Sequence, residues 1–173
     1  MKHIPKPQPN EHNAFVLNYI SLVPDDGLVL QHLQNNLQAV TDFVRALPAA
    51  KHTTPHADGE WTVQQVLVHV IDSERIFAYR ALRIARNDMT DLPSFNGETY
   101  MAYTGANDRS VDDVLAEYAA VRAATLSLFN SLDDAAWGRV GTANNGPFGV
   151  RAAVYIIAGH ELHHLISLKA NYG

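Results

Sequence analysis

Four stretches of the chain repeat apolar residues at helical spacing, and between them the period is lost. In "DDGLVLQHLQNNLQAVTDFVRALP", Leu30, Leu33, Leu37, Val40, Phe43, Val44 and Leu47 fall on one face of a 3.6-residue repeat, and Pro48 ends it. In "GEWTVQQVLVHVIDSERIFAYRALRIARND", Thr62 stands three residues before Gln65 and just ahead of an apolar run. That is the capping-box arrangement, and it predicts a second helix from about Val63 to about Arg86. Ser110 caps a third, with Asp113 at its third position, followed by Val114, Leu115, Tyr118, Val121, Leu126 and Phe129. A fourth runs from about Val150 to Ala170.

The segments between these helices differ in kind. "NDMTDLPSFNGETYMAYTGANDR", residues 87–109, is rich in turn formers but also in Phe and Tyr, which a solvated linker would not need. It predicts a long ordered crossover. "DDAAWGRVGTANNGPFGV" has little period and an Asn-Asn-Gly-Pro turn, so it is a loop that admits a hairpin. "NAFVLNYISLVP" is apolar but interrupted by Pro24, and admits either a short helix or an irregular strap. Four helices without a strand pair predict an all-α protein. The expected architecture is a four-helix bundle with a long crossover connection over residues 25–173, preceded by an arm and short helix or strap over residues 1–24.

Composition narrows the chemistry. At 173 residues and 47% hydrophobic the chain suits one core, and with no cysteine any metal must be held by His, Asp or Glu. The net charge is −5 and the 13 Lys and Arg are scattered, so nucleic acid is not an expected partner. The N-terminal "MKHIPKPQPNEHNAF" has no apolar signal core, and nowhere is there a run of about 18 apolar residues, so the expected location is cytoplasmic, with no membrane partner.

Three of the nine histidines fall in "AGHELHHLISLK", residues 158–169. His160 and His164 are four apart, so their rings project from one helix face one turn apart and can share a metal ion. His163 is turned aside from His160 by about 60°. A third ligand is available in His69, which sits at the edge of the second helix's apolar arc beside Val66, Ser73 and Ile76. A buried imidazole there needs a partner. Taken alone, His69 would be an ordinary core or boundary histidine, and the pair His160/His164 is as consistent with core residues as with a chelate; together, on two inward-facing stripes, they form a candidate metal site of His69, His160 and His164. His3, His12, His32, His52 and His56 lie in the arm, on a polar helix face or in loops, and are assigned no site role.

The same stretch matches the H-E-x-x-H pattern of zinc proteases, with Glu161 as base. Those enzymes draw a third ligand from downstream, and the residues after His164 contain no His, Asp or Glu. The protease reading fails for want of a ligand. Glu161 is rotated about 100° from His160, next to Val154 and Leu168 on the helical net, and is as consistent with a flanking or second-shell residue as with a base.

The His within "EWTVQQVLVHVIDSERIFAYRALRIAR", the long crossover, "AVRAATLSLFNSL", the "GTANNGPFGVRA" loop and the terminal "AGHELHHLISL" together resemble the DinB-like superfamily of DinB/YfiT-type metal-binding four-helix bundles. The resemblance covers nearly the whole chain after the arm. It implies a divalent metal, zinc or nickel, held by three histidines that fall by position on His69, His160 and His164, and commonly a homodimer. It also implies a small-molecule substrate, since its characterised members include thiol S-transferases using bacillithiol or mycothiol, a maleylpyruvate isomerase and ergothioneine-pathway domains, beside many labelled metal-dependent hydrolases.

Three neutral imidazoles leave a coordination position open, as in catalytic zinc sites. The expected activity is therefore metal-activated attack by a low-molecular-weight thiol or by water, in a thiol S-transferase or a hydrolase. The alternative is a non-catalytic, metal-stabilised binding or sensor module. Asp72, one turn after His69, and Glu161 are candidates for orienting the ligands. Arg80 and Arg83 could serve an anionic substrate or simply pair on the helix surface. Phe95, Tyr100 and Tyr103 could roof the crevice or pack beneath the crossover.

Overall fold

The computed structural model of the protein describes residues 2–173. Its helices are α1 (Leu17–Leu22), α2 (Val29–Ala46), α3 (Ala50–Thr53), α4 (Val63–Ala85), α5 (Gly97–Tyr100), α6 (Val111–Asn130), α7 (Asp134–Trp137) and α8 (Val150–Tyr172), with a hairpin of β1 (Val140–Ala143) and β2 (Gly146–Gly149) before the last. The four long helices form the bundle, and their starts follow local chemistry. Thr62 Oγ1 accepts from the Gln65 backbone N–H at 3.2 Å while Gln65 Oε1 accepts from Thr62 N–H at 2.9 Å, closing a capping box. Ser110 Oγ accepts from the Asp113 N–H at 3.1 Å and starts α6.

Around the bundle the order is α2, α8, α4, α6: α8 packs against both α2 and α4, as does α6, leaving α2 diagonal to α4 and α6 diagonal to α8. The long connection therefore joins adjacent helices, α4 and α6, while the diagonal steps are taken by the segments that carry α3 and the hairpin. At the centre a single guanidinium ties the four together. Arg122 of α6 donates to both carboxylate oxygens of Glu74 on α4 at 2.9 and 2.8 Å, to Glu161 Oε1 on α8 at 2.7 Å, and to the Leu33 carbonyl on α2. All three charged side chains are buried, at 1% exposure or less.

Four segments go beyond the helical pattern. The apolar stretch before Pro24 is helical, a 3-10 turn at Ala14–Val16 leading into α1, and α1 packs along α8. Gly159 permits this, because a Cβ there would collide with the backbone carbonyl of Tyr19. The loop before α8, expected as a loop with hairpin character, holds a true two-stranded hairpin: Asn144 and Asn145, at φ 53° and 58°, supply the left-handed pair that a tight two-residue turn requires. The crossover is fastened to that hairpin through Leu92, whose N–H donates to Thr142 O and whose carbonyl accepts from Asn144 N–H, both at 3.0 Å. The N-terminal arm is likewise held: Ile4 is buried in the main core, and its carbonyl accepts from the Tyr155 hydroxyl at 2.7 Å. No helix among the described residues is long and apolar enough to cross a membrane.

Candidate metal centre

α4 and α8 face each other along their length, and that contact brings His69 to His160 and His164. His69 Nε2 stands 3.1 Å from His160 Nε2, and His164 Nε2 is also 3.1 Å from it. One ring nitrogen from each of the three lies within 4.8 Å of the others. Nitrogens bound to one tetrahedral zinc at about 2.0–2.1 Å stand about 3.3 Å apart, so the set fits a single divalent ion. His163, exposed and one turn-fraction away, is outside the set; its ring meets Tyr19 edge-on at 5.4 Å.

Burial sets the protonation of the three rings. Desolvation lowers the pKa of His69; it holds His160 well below the ordinary imidazole range, helped by His164 and His69; and it pushes His164 down to about 3. Each lone pair is thereby kept free for a metal near neutral pH. Aromatic rings brace the imidazoles from the side: Trp61 lies 5.0 Å from His69, and Tyr19 meets His160 edge-on at 5.3 Å. Gly97 of the crossover presses so closely on the His69 ring that a Cβ there would strike it.

The imidazoles open into a cavity of about 630 Å³ walled by α4, α8, the N-terminal segment, the crossover and the hairpin. Ser73, Phe77 and Arg80 continue the His69 face of α4 into it, Phe95 comes from the crossover and Phe148 from β2. Of the crossover aromatics, Phe95 thus joins the wall, Tyr100 is half exposed against it, and Tyr103 points to solvent at 89% exposure. Tyr19 and Trp61 lack any signal in the sequence, because neither lies on a long helix. His12 also lines the cavity, with Nδ1 donating to Asn13 O at 3.0 Å, although its place in the arm gave no sign of it. His52 is buried, not exposed in a loop, and donates to the Val44 carbonyl at 3.0 Å.

The two acidic residues considered as supports for the ligands are engaged elsewhere. The turn of about 100° from His160 carries Glu161 to the α6 side of α8, where its carboxyl meets Arg122 and not an imidazole. Burial, and then Glu74, raise its pKa well above the usual carboxyl range, and its Oε2 has no partner. Asp72 accepts from Arg75 at 3.4 Å. The arginines diverge: Arg83 pairs with Asp88 at 2.6 Å on the surface, whereas Arg80 turns into the cavity.

Solved structures share this fold, among them the two that follow. YfiT from Bacillus subtilis, described as a probable metal-dependent hydrolase with an unusual four-helix bundle topology, superposes with a TM-score of 0.71 at 18% identity, over 95% of this chain and 90% of its own. The mycothiol-dependent maleylpyruvate isomerase superposes with a TM-score of 0.68 at 11% identity, over 89% of this chain but only 62% of its own length. No curated protein matches by sequence. The match of the DinB superfamily model to residues 32–168, from the first turn of α2 to the last turns of α8, shows that this chain belongs to the DinB superfamily.

Proposed function

We propose that this chain is a metal-dependent enzyme acting on a small molecule, in which His69, His160 and His164 hold a divalent ion, zinc or nickel. The activity that fits is transfer to a low-molecular-weight thiol or hydrolysis. The convergence of three imidazole nitrogens at the wall of a cavity that also carries aromatic side chains is the observation that carries this reading. Imidazole donors suit zinc and nickel, and three of them leave room for one more ligand. When bound, such an ion supplies Lewis acidity, which favours the deprotonated form of a thiol or of water. The chain's own residues supply the rest: Trp61, Tyr19 and Gly97 fix the rings, and Phe77, Phe95 and Phe148 give the cavity a water-excluding wall. The neighbouring folds, a described metal-dependent hydrolase and a thiol-dependent isomerase, support both halves of the proposal.

Stoichiometric metal measured on purified variants tests it. His69→Ala, His160→Ala and His164→Ala are each expected to lose the ion, whereas His163→Ala keeps most of it. Equal loss in His163→Ala and His164→Ala, with helical content intact, makes the i, i+3 pair the chelate. No change in any variant removes the metal and the enzyme with it. A homodimer belongs to the same proposal, supported by outward-facing Leu17 and Leu22, at 49% and 37% exposure. Light scattering should then give twice the 19.1 kDa chain mass.

A further inference from the structure

We propose that Arg80 is the anion-recognising residue of this cavity, and that it takes the carboxylate of a small acid whose body is apolar or aromatic; this rests on the cavity's being a substrate site. Arg80 lies 11 residues after His69 on α4, three turns within about 20°, so the two side chains leave the helix from one face with Ser73 and Phe77 between them. Helical side chains lean toward the N-terminus, which aims Arg80 back toward His69.

Arg80 is 6% exposed. Arg75 and Arg83 on the same helix each meet a carboxylate, but Arg80 meets none among the described residues. Its one hydrogen bond is from Nη2 to the Pro93 carbonyl at 2.6 Å, and its other N–H groups are left open to the cavity. Around the guanidinium stand Phe77, Phe95 and Phe148, with ring centroids 5.9, 5.3 and 5.6 Å from Cζ. Rings attract a cation but accept no N–H bond in the way an oxygen does. A guanidinium stays charged in proteins, so a largely buried one that has no acid partner and turns free N–H groups into a cavity is a ready site for a ligand oxyanion.

Its planar fork matches the two oxygens of a carboxylate. Arg80 is the one Lys or Arg among the residues lining the cavity, and one carboxylate matches the single charge of its guanidinium, apart from the divalent ion proposed at the imidazoles. The three phenylalanines then take the apolar body of the acid, which extends along α4 toward the imidazoles.

Benzoate, benzamide and phenyl phosphate serve as probes, titrated by NMR into the protein as purified and again after chelation of metal. Saturable binding of benzoate is expected in both, with benzamide weaker by about tenfold or more. Arg80→Gln should weaken benzoate by a similar factor while leaving benzamide unchanged, and Arg80→Lys should fall between. Equal benzoate affinity in wild type and Arg80→Gln, no preference over benzamide, tighter binding of phenyl phosphate, or no saturable benzoate binding would each overturn the assignment. Should Arg80→Gln not fold, the Arg80 Nε–H resonance of the wild type decides: it shifts on adding benzoate, or the proposal is wrong. Because the metal-free protein is included, failure of the metal reading leaves benzoate capture intact. Failure of the arginine reading leaves metal stoichiometry intact.

Discussion

His160 and Glu161 are neighbours in sequence, and burial drives both toward neutrality from opposite sides, the imidazole pKa down and the carboxyl pKa up. What separates their roles is the direction each faces. His160 looks across to α4, while Glu161 looks to Arg122, which also holds Glu74 in a bidentate pair. Among the described residues Arg122 is thus the counter-charge of the buried Glu74 carboxylate, and it gives a further N–H to Glu161. Arg122→Met should cost about 3–5 kcal/mol, because removing one partner of a buried ion pair strands the other. Urea denaturation would show it as a lower midpoint at unchanged slope, and adding Glu74→Gln should recover part of the loss. A double variant no more stable than Arg122→Met would mean that the methionine is poorly packed and the stranded charge unimportant.

At the scale of the element, α1 is the piece that the periodic pattern left open and that packing defines. Its six residues are too few to be stable alone, so its helical form depends on the contact with α8. Gly159 sits at that contact. Inside a helix, Gly→Ala ordinarily gains up to about 1 kcal/mol from propensity. Here the new methyl would meet the rigid backbone of Tyr19, and overpacking of this sort costs about 1–3 kcal/mol. Gly159→Ala is therefore expected to be net destabilising, and since Tyr19 braces His160, to weaken metal binding as well. A thermal midpoint at or above wild type would show that α1 yields without cost.

For the whole molecule, pH connects the imidazole cluster to stability. The unfolded chain titrates its histidines near about 6.5. In the folded, metal-free protein His69, His160 and His164 titrate lower, His164 at about 3. Between those limits the unfolded state binds more protons, so stability rises with pH and is lost as pH falls from about 6.5 toward about 3. Glu161 acts with the opposite sign: its raised pKa contributes stability at low pH that is lost as pH rises through the folded value. The metal-free protein should therefore have a lower denaturation midpoint at pH 5 than at pH 7, and His160→Gln with His164→Gln should flatten that difference. An unchanged slope in the double variant would place the acid sensitivity elsewhere in the chain.

The extents of the four long helices and the shared face of His160 and His164 are consequences of local rules, and they were legible before any fold was known. Backbone hydrogen bonding reaches four residues, so period, Pro48, the Thr62–Gln65 box and Ser110 suffice to bound a helix. His69 could be joined to the pair by type and by its inward stripe, although the 3.1 Å approach is made by the packing of α4 on α8. Other features depend on partners distant in sequence and carry no local mark. Asn144 and Asn145 form a hairpin whose edge is fastened by Leu92 of the crossover; Glu161 finds Arg122, 39 residues before it; and Arg80 and Arg83, alike on paper, part into cavity and surface. Which helices are neighbours, and hence what each outward side chain meets, is decided by the burial of whole faces against one another, a quantity that exists only once the chain has folded.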